Sequence, residues 1–366
     1  MKTIKVSLQK NSYNIVIGYD IINLLGKYVR KLNIGCDAYI LTNAVIKNKY
    51  GRLLAKALTR HGISAKFKLI PDSEKSKSLE TASSLINDLA RYDKKRRIFI
   101  IAFGGGVIGD LAGFVSSIYK RGIPYIQIPT TLLAQVDSSI GGKTAVDLAQ
   151  GKNLVGTFYQ PRLVFSDVRF LFSLDLTQTK SGLAEIIKYA LIKDKALFKY
   201  LEKNYRDALA LKYPALEFIV KRCADIKAGI IQQDEKEEKG IRTILNFGHT
   251  IGHAIEAAGN YRVYNHGQAV ALGMIAASHI SSRLGLISGE LTQRIEILIK
   301  TIGLPVKINE LALSDIIKAH YRDKKFTGKA NKFILLKSIG RTKIVTNVPL
   351  GIIKEALKKR LLSCRL

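Results

Sequence analysis

Residues 98–110 read Ile98-Phe99-Ile100-Ile101-Ala102-Phe103-Gly104-Gly105-Gly106-Val107-Ile108-Gly109-Asp110 and run on into a second apolar stretch ending near Val115. Six apolar residues closed by glycine have the length and character of a buried strand. The turn that follows opens a helix, and strand, glycine turn and helix together form the phosphate-binding layout. Glycines let backbone N–H groups approach a pyrophosphate, and the helix N-terminus favours negative charge. A dinucleotide fingerprint normally adds an acidic residue about twenty positions on to hold a ribose. None stands there, so the ribose is expected elsewhere. Asp72-Ser73-Glu74-Lys75-Ser76-Lys77 is the candidate, although it reads equally well as a charged helix start.

Outward from this point the first half has a βα rhythm. Strands are expected at Cys36 to Leu41, Lys66 to Ile70, Ile98 to Phe103, Tyr125 to Ile128 and Leu163 to Ser166, after an opening strand pair in residues 1–18. That rhythm is the signature of a parallel sheet. From about Leu176 the period becomes helical, at Ser181 to Asp194, Pro214 to Gln232, Ile244 to Ala258 and Gln268 to Leu284, and a boundary near residue 178 is the economical choice. Asp234 to Lys239 reads as a solvated turn, and Lys354 to Arg365 as a basic amphipathic helix.

Composition excludes several classes. A 366-residue chain with 47% hydrophobic residues can bury a large core, and about two domains are expected. Asp110 and the glycines between Ile98 and Val115 argue against a lipid-spanning helix, and residues 1–18 carry no secretory signal. Cys36, Cys223 and Cys364 are widely spaced, which fits a reducing cytosol. The net charge of +30 is spread along the chain rather than gathered in one arm, so it reads mainly as a lysine-rich exterior.

A second glycine-rich edge follows the Tyr125 strand: Pro129-Thr130-Thr131, then Gly141-Gly142-Lys143-Thr144 and Gly151-Lys152-Asn153. Strand ends of this kind bind ligands in open α/β sheets. A P-loop is ruled out because the glycine it requires five residues before Gly142 is Asp137. Further on, His249 and His253 stand at i and i+4 on one helical face, with His266 close behind, so half of the six histidines fall within eighteen residues. This is a metal or acid-base pattern, but Thr250 occupies the position where the zinc-protease helix carries its glutamate. On spacing alone His249 and His253 would be joint ligands. Glu185, at i and i+3 with Lys188 among apolar neighbours, calls for a cation.

These segments resemble the 3-dehydroquinate synthases. FGGGVIGDLAGFVSSIYKRG, IPTTLLAQVDSSIGGKTAV, GKN, SGLAEIIKYALI, LNFGHTIGHAIE and NHGQAVALGM follow the family's order and approximate spacing, from about Pro71 to Gly340. The resemblance implies an α/β Rossmann-like N-terminal domain binding NAD (residues 1–178) and a mainly α-helical, metal- and substrate-binding C-terminal domain (179–366), with the active site in the cleft between them. It implies a cytoplasmic homodimer that acts on a small phosphorylated sugar acid, without membrane or nucleic acid as partner. The metal, zinc or cobalt, would sit on Glu185, His249 and His266, leaving His253 to touch substrate.

By the same resemblance Lys143, Asn153, Asn246 and Lys324, or Lys325 in its place, hold the phosphate, and Arg121 reaches it from the partner subunit. Lys227 and Arg242 contact the carboxylate side, while Asp137, Lys188 and His253 line the ring. The NAD residues would be Asp72, Ser73, Glu74, Lys75, Ser76 and Lys77, the turn Gly106, Val107, Ile108, Gly109 and Asp110, then Thr130, Thr131, Lys143, Lys152 and Phe170, Leu171, Phe172 and Ser173. Several positions depart from the family pattern. Its Asp-Gly-Glu is Asp72-Ser73-Glu74, its Thr-Asp is Thr42-Asn43, its Asn-His pair is Asp147-Leu148, its Pro-x-Arg-Glu is Asp175-Leu176-Thr177-Gln178, and the glutamate after His266-Gly267 is Gln268. Three rival readings remain: a sister sugar phosphate cyclase, a metal-dependent polyol dehydrogenase that consumes NAD, and a nucleic-acid-binding protein on an inactive scaffold.

Overall fold

The computed structural model describes residues 1–93, 97–322 and 331–361. In chain order the elements are β1 (Lys2–Val6), β2 (Tyr13–Gly18), α1 (Leu25–Leu32), β3 (Asp37–Thr42), α2 (Ala44–Thr59), β4 (Ser64–Leu69), α3 (Leu79–Tyr92), β5 (Ile98–Gly104), α4 (Gly106–Ile118) and β6 (Tyr125–Pro129). Then come β7 (Lys143–Leu148), β8 (Gly151–Phe158), β9 (Leu163–Asp167), α5 (Leu176–Lys193), α6 (Lys195–Leu209), α7 (Tyr213–Gln233), α8 (His249–Ala258) and α9 (His266–Arg283). The chain continues with α10 (Gly289–Thr301), α11 (Leu313–Arg322), β10 (Lys332–Ser338), β11 (Arg341–Thr346) and α12 (Leu350–Lys358). None of the described helices is long and apolar enough to cross a membrane.

Two compact units emerge, one of residues 1–174 with 213–236, the other of 175–212 with 237–366. The chain thus passes between them three times, whereas the sequence reading places one cut near 178. Helix α7 has the same apolar periodicity as its neighbours, and nothing in its sequence records that it packs on β1 and β2 of the first unit.

The first unit is built on a seven-stranded sheet of order β1-β2-β9-β6-β5-β3-β4, parallel except for the β1–β2 pair. Its central strands are apolar on both faces because both are covered. Ala38, Ile40, Phe99, Ile101 and Phe103 enter one core, and Tyr39, Leu41, Ile98, Ile100 and Ala102 enter the other. Strand order reverses between β3 and β5, the switch point where ligands bind at carboxyl ends of strands. All five strands read from the sequence are present, within two residues at each end. The β7–β8 hairpin lies where the sequence shows only a glycine-rich edge.

Among the described residues the second unit is helical apart from the β10–β11 hairpin and an isolated bridge between Ile308 and Leu361, and the helical reading of this half misses the hairpin. The helix expected from Ile244 begins instead at His249. Gly248, at φ +79°, breaks it from the 3-10 turn Arg242–Asn246. Its left-handed conformation suits glycine, and an added Cβ would press on the Met274 backbone nitrogen at 2.9 Å.

One half-buried contact in the first unit gives a pH-dependent prediction. The Tyr39 hydroxyl donates to Asp88 on α3, and Lys66 and Lys68 stand 3.7 and 3.6 Å from the same oxygen. That hydrogen bond, then the Lys68 and Lys66 charges, hold Asp88 below the usual aspartate range against the effect of burial. A depressed folded pKa contributes stability above the unfolded aspartate value, and the contribution is lost as pH falls through the folded one. Asp88→Ala is therefore expected to cost about 1–2 kcal/mol near neutral pH by urea unfolding. The gap from the parent protein should narrow when the unfolding is repeated at a pH below the ordinary aspartate value of about 3.9. An equal gap at both pH values would mean that the effect is packing alone.

Candidate functional site

In the second unit, three helices present the histidines and Glu185. On α8, residues 249, 253 and 256 stand at i, i+4 and i+7 and share a face. Helix α9 starts on His266. The Asn265 side chain accepts from the Gln268 N–H at 3.0 Å, and the Gln268 side chain accepts from the Asn265 N–H at 3.0 Å. This reciprocal cap fixes the start of the helix. Helix α5 supplies Glu185 and Lys188, both buried, with Lys188 close against the carboxylate and over the Tyr189 ring. Gly273 of α9 lies against Gly248 and Gly252 at the start of α8, which sets the separation between the two histidine-bearing helices.

The result is a cluster around one carboxylate oxygen. His249 Nε2 is 3.5 Å and His266 Nε2 is 3.3 Å from Glu185 Oε1. Ligand atoms of Glu185, His249 and His266 lie within 4.8 Å of one another, a spacing able to hold a divalent ion, and His253, Glu256 and His266 form a second such group. The chemistry of the set fits a metal. Neither buried Glu185 oxygen has a hydrogen bond of good geometry, so among the described residues this charge is met by Lys188 and the two imidazoles. His249 Nδ1 faces the Phe247 carbonyl oxygen at 3.1 Å, directing Nε2 inward. Burial, then the Lys188 charge and the neighbouring histidines, push its pKa well down and keep it neutral, as a metal ligand must be. Burial also opposes charge on His266, but the Glu185 and Glu256 carboxylates facing its two ring nitrogens outweigh it and raise that pKa to about 10. An incoming ion therefore displaces a proton there.

Arg242 and Asn246 occupy the 3-10 turn before α8, Arg242 buried and Asn246 half-buried. His253 is half-buried, its ring 5.3 Å from that of His249 and 6.4 Å from that of His266. Lys324 and Lys325 lie outside the described residues.

In the first unit, β5 runs through Gly104 and Gly105 into α4, whose first turn has no side-chain cap. The opening amides of a thirteen-residue helix are thus offered to an anion at the switch point. The glycines there are tightly enclosed. A Cβ on Gly104 would strike Ile108 at 2.8 Å, and one on Gly109 would strike Gln127 at 2.8 Å. Asp110 meets Lys77 at 2.6 Å, and Lys77 also donates to Asn153, which adopts φ +56°. Burial raises the Asp110 pKa while Lys77 and Lys227 oppose it. Burial pulls Lys77 down, but the Asp110 charge and hydrogen bond outweigh it.

Among the other residues read from the sequence, Ser73 caps a short 3-10 turn over 74–76, and Asp72, Glu74 and Lys75 are exposed. Ser76 donates to the Pro71 carbonyl, and Lys152 stands 3.8 Å from Glu74. Thr130 is buried at the end of β6, its N–H bonded to Gly104, and Thr131 accepts from the Ala134 N–H. Val107 and Ile108 lie in the first turn of α4, and Lys143 begins β7. Asp137 falls in a π-helical segment, Ala134–Ser138, where Lys227 of α7 donates to its backbone oxygen at 2.8 Å and also meets its carboxylate. Phe170 and Leu171 are core residues, Phe170 packing on Phe103, whereas Phe172 is exposed and the Ser173 hydroxyl turns back to Phe170. Arg121 is exposed at the end of a turn in which Lys120, Arg121 and Gly122 all have positive φ.

Four departures from the family pattern take up local hydrogen bonds. Asn43 caps α2 by accepting from Ile46, Asp147 accepts from the Asn153 N–H at 2.7 Å, Asp175 caps α5, and Gln268 completes the α9 capping box. The sequence reading missed Glu256, whose signal was its place seven residues after His249.

The family model described as 3-dehydroquinate synthase N-terminal matches residues 67–181, and that described as 3-dehydroquinate synthase C-terminal matches 182–326. A 3-dehydroquinate synthase of Desulforamulus reducens is 44% identical over 349 residues, covering 95% of this chain and 97% of that protein. One of Syntrophotalea carbinolica is 43% identical over 361 residues, covering 98% and 99%. Among solved structures, a 2-deoxy-scyllo-inosose synthase complexed with carbaglucose-6-phosphate, NAD+ and Co2+ superposes with TM-score 0.89 at 28% identity, covering 98% of this chain and all of that one. An iron-containing alcohol dehydrogenase shares the fold alone, with TM-score 0.66 at 16% identity over 95% and 97% of the two chains. With both halves matched in order and relatives above 40% identity along nearly the whole length, the chain belongs to the 3-dehydroquinate synthase family.

Proposed function

We propose that this protein converts 3-deoxy-D-arabino-heptulosonate 7-phosphate to 3-dehydroquinate and phosphate, as a cytosolic homodimer. The observation that carries the reading is the buried, poorly hydrogen-bonded Glu185 carboxylate facing His249 and His266, in a chain of this family. Bound NAD would take up and return one hydride within a single turnover, and a bound divalent ion would ease deprotonation of a substrate hydroxyl. The protein's own share is placement and charge. Glu185, His249 and His266 hold the ion, and the α4 N-terminus receives the pyrophosphate. Lys143, Asn153 and Asn246 hold the substrate phosphate, with Arg121 supplied by the partner subunit. Arg242 and Lys227 meet the carboxylate side, and His253, Lys188 and Asp137 line the ring. The apolar surroundings of Lys188 strengthen its field on any anion brought beside it.

The test is phosphate release from the heptulosonate phosphate by metal-loaded protein with a catalytic trace of NAD, following nicotinamide absorbance in the same cuvette. Many phosphates released per NAD, with no net absorbance change, is the expected result. Net NADH accumulation, or release only from another sugar phosphate, overturns it in favour of a polyol dehydrogenase or a sister cyclase.

A further inference from the structure

His266 is held between two carboxylates. On one side Nε2 is 3.3 Å from Glu185 Oε1, and on the other Nδ1 is 3.5 Å from Glu256 Oε1. Glu256 is buried, at 6% exposure, two turns along α8 from His249. A carboxylate is brought into such a place at a cost unless a donor meets it. The two histidines of the cluster are therefore oriented differently. His249 has a neutral backbone carbonyl behind its ring, whereas His266 has a full negative charge. A neutral imidazole carries one N–H, and an acceptor behind Nδ1 keeps the proton there and leaves the Nε2 lone pair for an ion.

We propose that Glu256 is a positioning residue: it accepts the Nδ1–H of His266 and so makes Nε2 the atom that joins Glu185 and His249 around the ion. The inference rests on the metal reading above. A competing geometry is also present, since His253, Glu256 and His266 bring ligand atoms within 4.8 Å and would make Glu256 a direct ligand. The first arrangement is favoured because Glu256 faces the nitrogen on the far side of the ring from Glu185. A positioning carboxylate and a ligand differ in what their loss does to the ion's spectrum.

The experiment titrates metal-free protein with Co2+ against a chelator, recording the visible absorption of bound cobalt for the parent protein, Glu256→Ala, Glu256→Gln and Glu185→Gln. Metal-free unfolding curves check that each variant folds, and Glu256→Gln carries the test if the alanine protein does not. Glu256→Ala is expected to bind Co2+ about 10–100-fold more weakly with the parent spectrum. Glu256→Gln, whose amide oxygen still accepts the N–H, should fall between, while Glu185→Gln changes the spectrum itself. Unchanged affinity in Glu256→Ala overturns the inference, and so does a spectral change as large as that of Glu185→Gln. A folded parent protein that binds no Co2+ overturns the metal reading and this inference with it, which separates the two failures.

Discussion

The His266→Ala protein is expected to fold, to lose its divalent ion on gel filtration, and to release phosphate at about one-thousandth of the parent rate or less, the several kcal/mol that a catalytic ion supplies. His266 is the first residue of α9 and its side chain is 35% exposed, so truncation removes little packing. The helix start remains pinned by the Asn265 and Gln268 cap, which does not involve the imidazole. In the metal-free protein the change also takes away the imidazole that faces the buried Glu185 and Glu256 carboxylates, so a loss of about 1–3 kcal/mol of stability is expected without loss of the fold. Metal content by atomic absorption, phosphate release and urea unfolding are the three measurements. Full activity in a metal-stripped His266→Ala protein would show that Glu185, His249 and His266 do not form the working site.

Gly273→Ala should damage the same site without touching a ligand. An added Cβ at Gly273 would lie 2.0 Å from the Gly248 carbonyl oxygen and 2.7 Å from the Gly252 nitrogen, both backbone atoms that no rotamer change can move. Helices α8 and α9 must then separate or slide. Overpacking of this kind costs about 1–3 kcal/mol and sometimes more, and a clash with backbone belongs at the upper end. Because His249 heads one helix and His266 the other, the displacement also widens the gap that the ion must span. Loss of both stability and Co2+ affinity is expected. Gly229→Ala, inside α7 with nothing within 4 Å of the new methyl, should instead be neutral or stabilise by up to about 1 kcal/mol. Equal behaviour of the two variants would mean that the close approach of α8 and α9 is not what fixes the site.

The architecture was largely legible where burial on two faces makes a strand uniformly apolar, as at Ile98 to Phe103, and where a glycine turn follows directly. The hairpins were less so. Lys143–Leu148 and Gly151–Phe158 mix charged, small and apolar residues, and their partly exposed pairing leaves no continuous apolar run. Helix spacing in the site told which residues share a face of α8, and it joined His249 to His253. It could not say which other helices pack against that face, and that packing is what groups His249 with His266 from α9 and Glu185 from α5. The family pattern supplied that grouping in advance, and the departures from it turned out to sit largely at caps and turns. There a change such as glutamate to glutamine keeps the acceptor that the backbone requires.

Helix α7 belongs to the first unit but is encoded after two helices of the second, and it packs against β1, β2 and the π-helical segment holding Asp137. During synthesis the first unit can close only once residue 236 has left the ribosome, by which time α5 and α6 have emerged and await partners that begin at residue 237. The earliest strands of the chain thus stay uncovered longer than those made after them, and their exposure on the nascent chain is a cost built into the order of the gene.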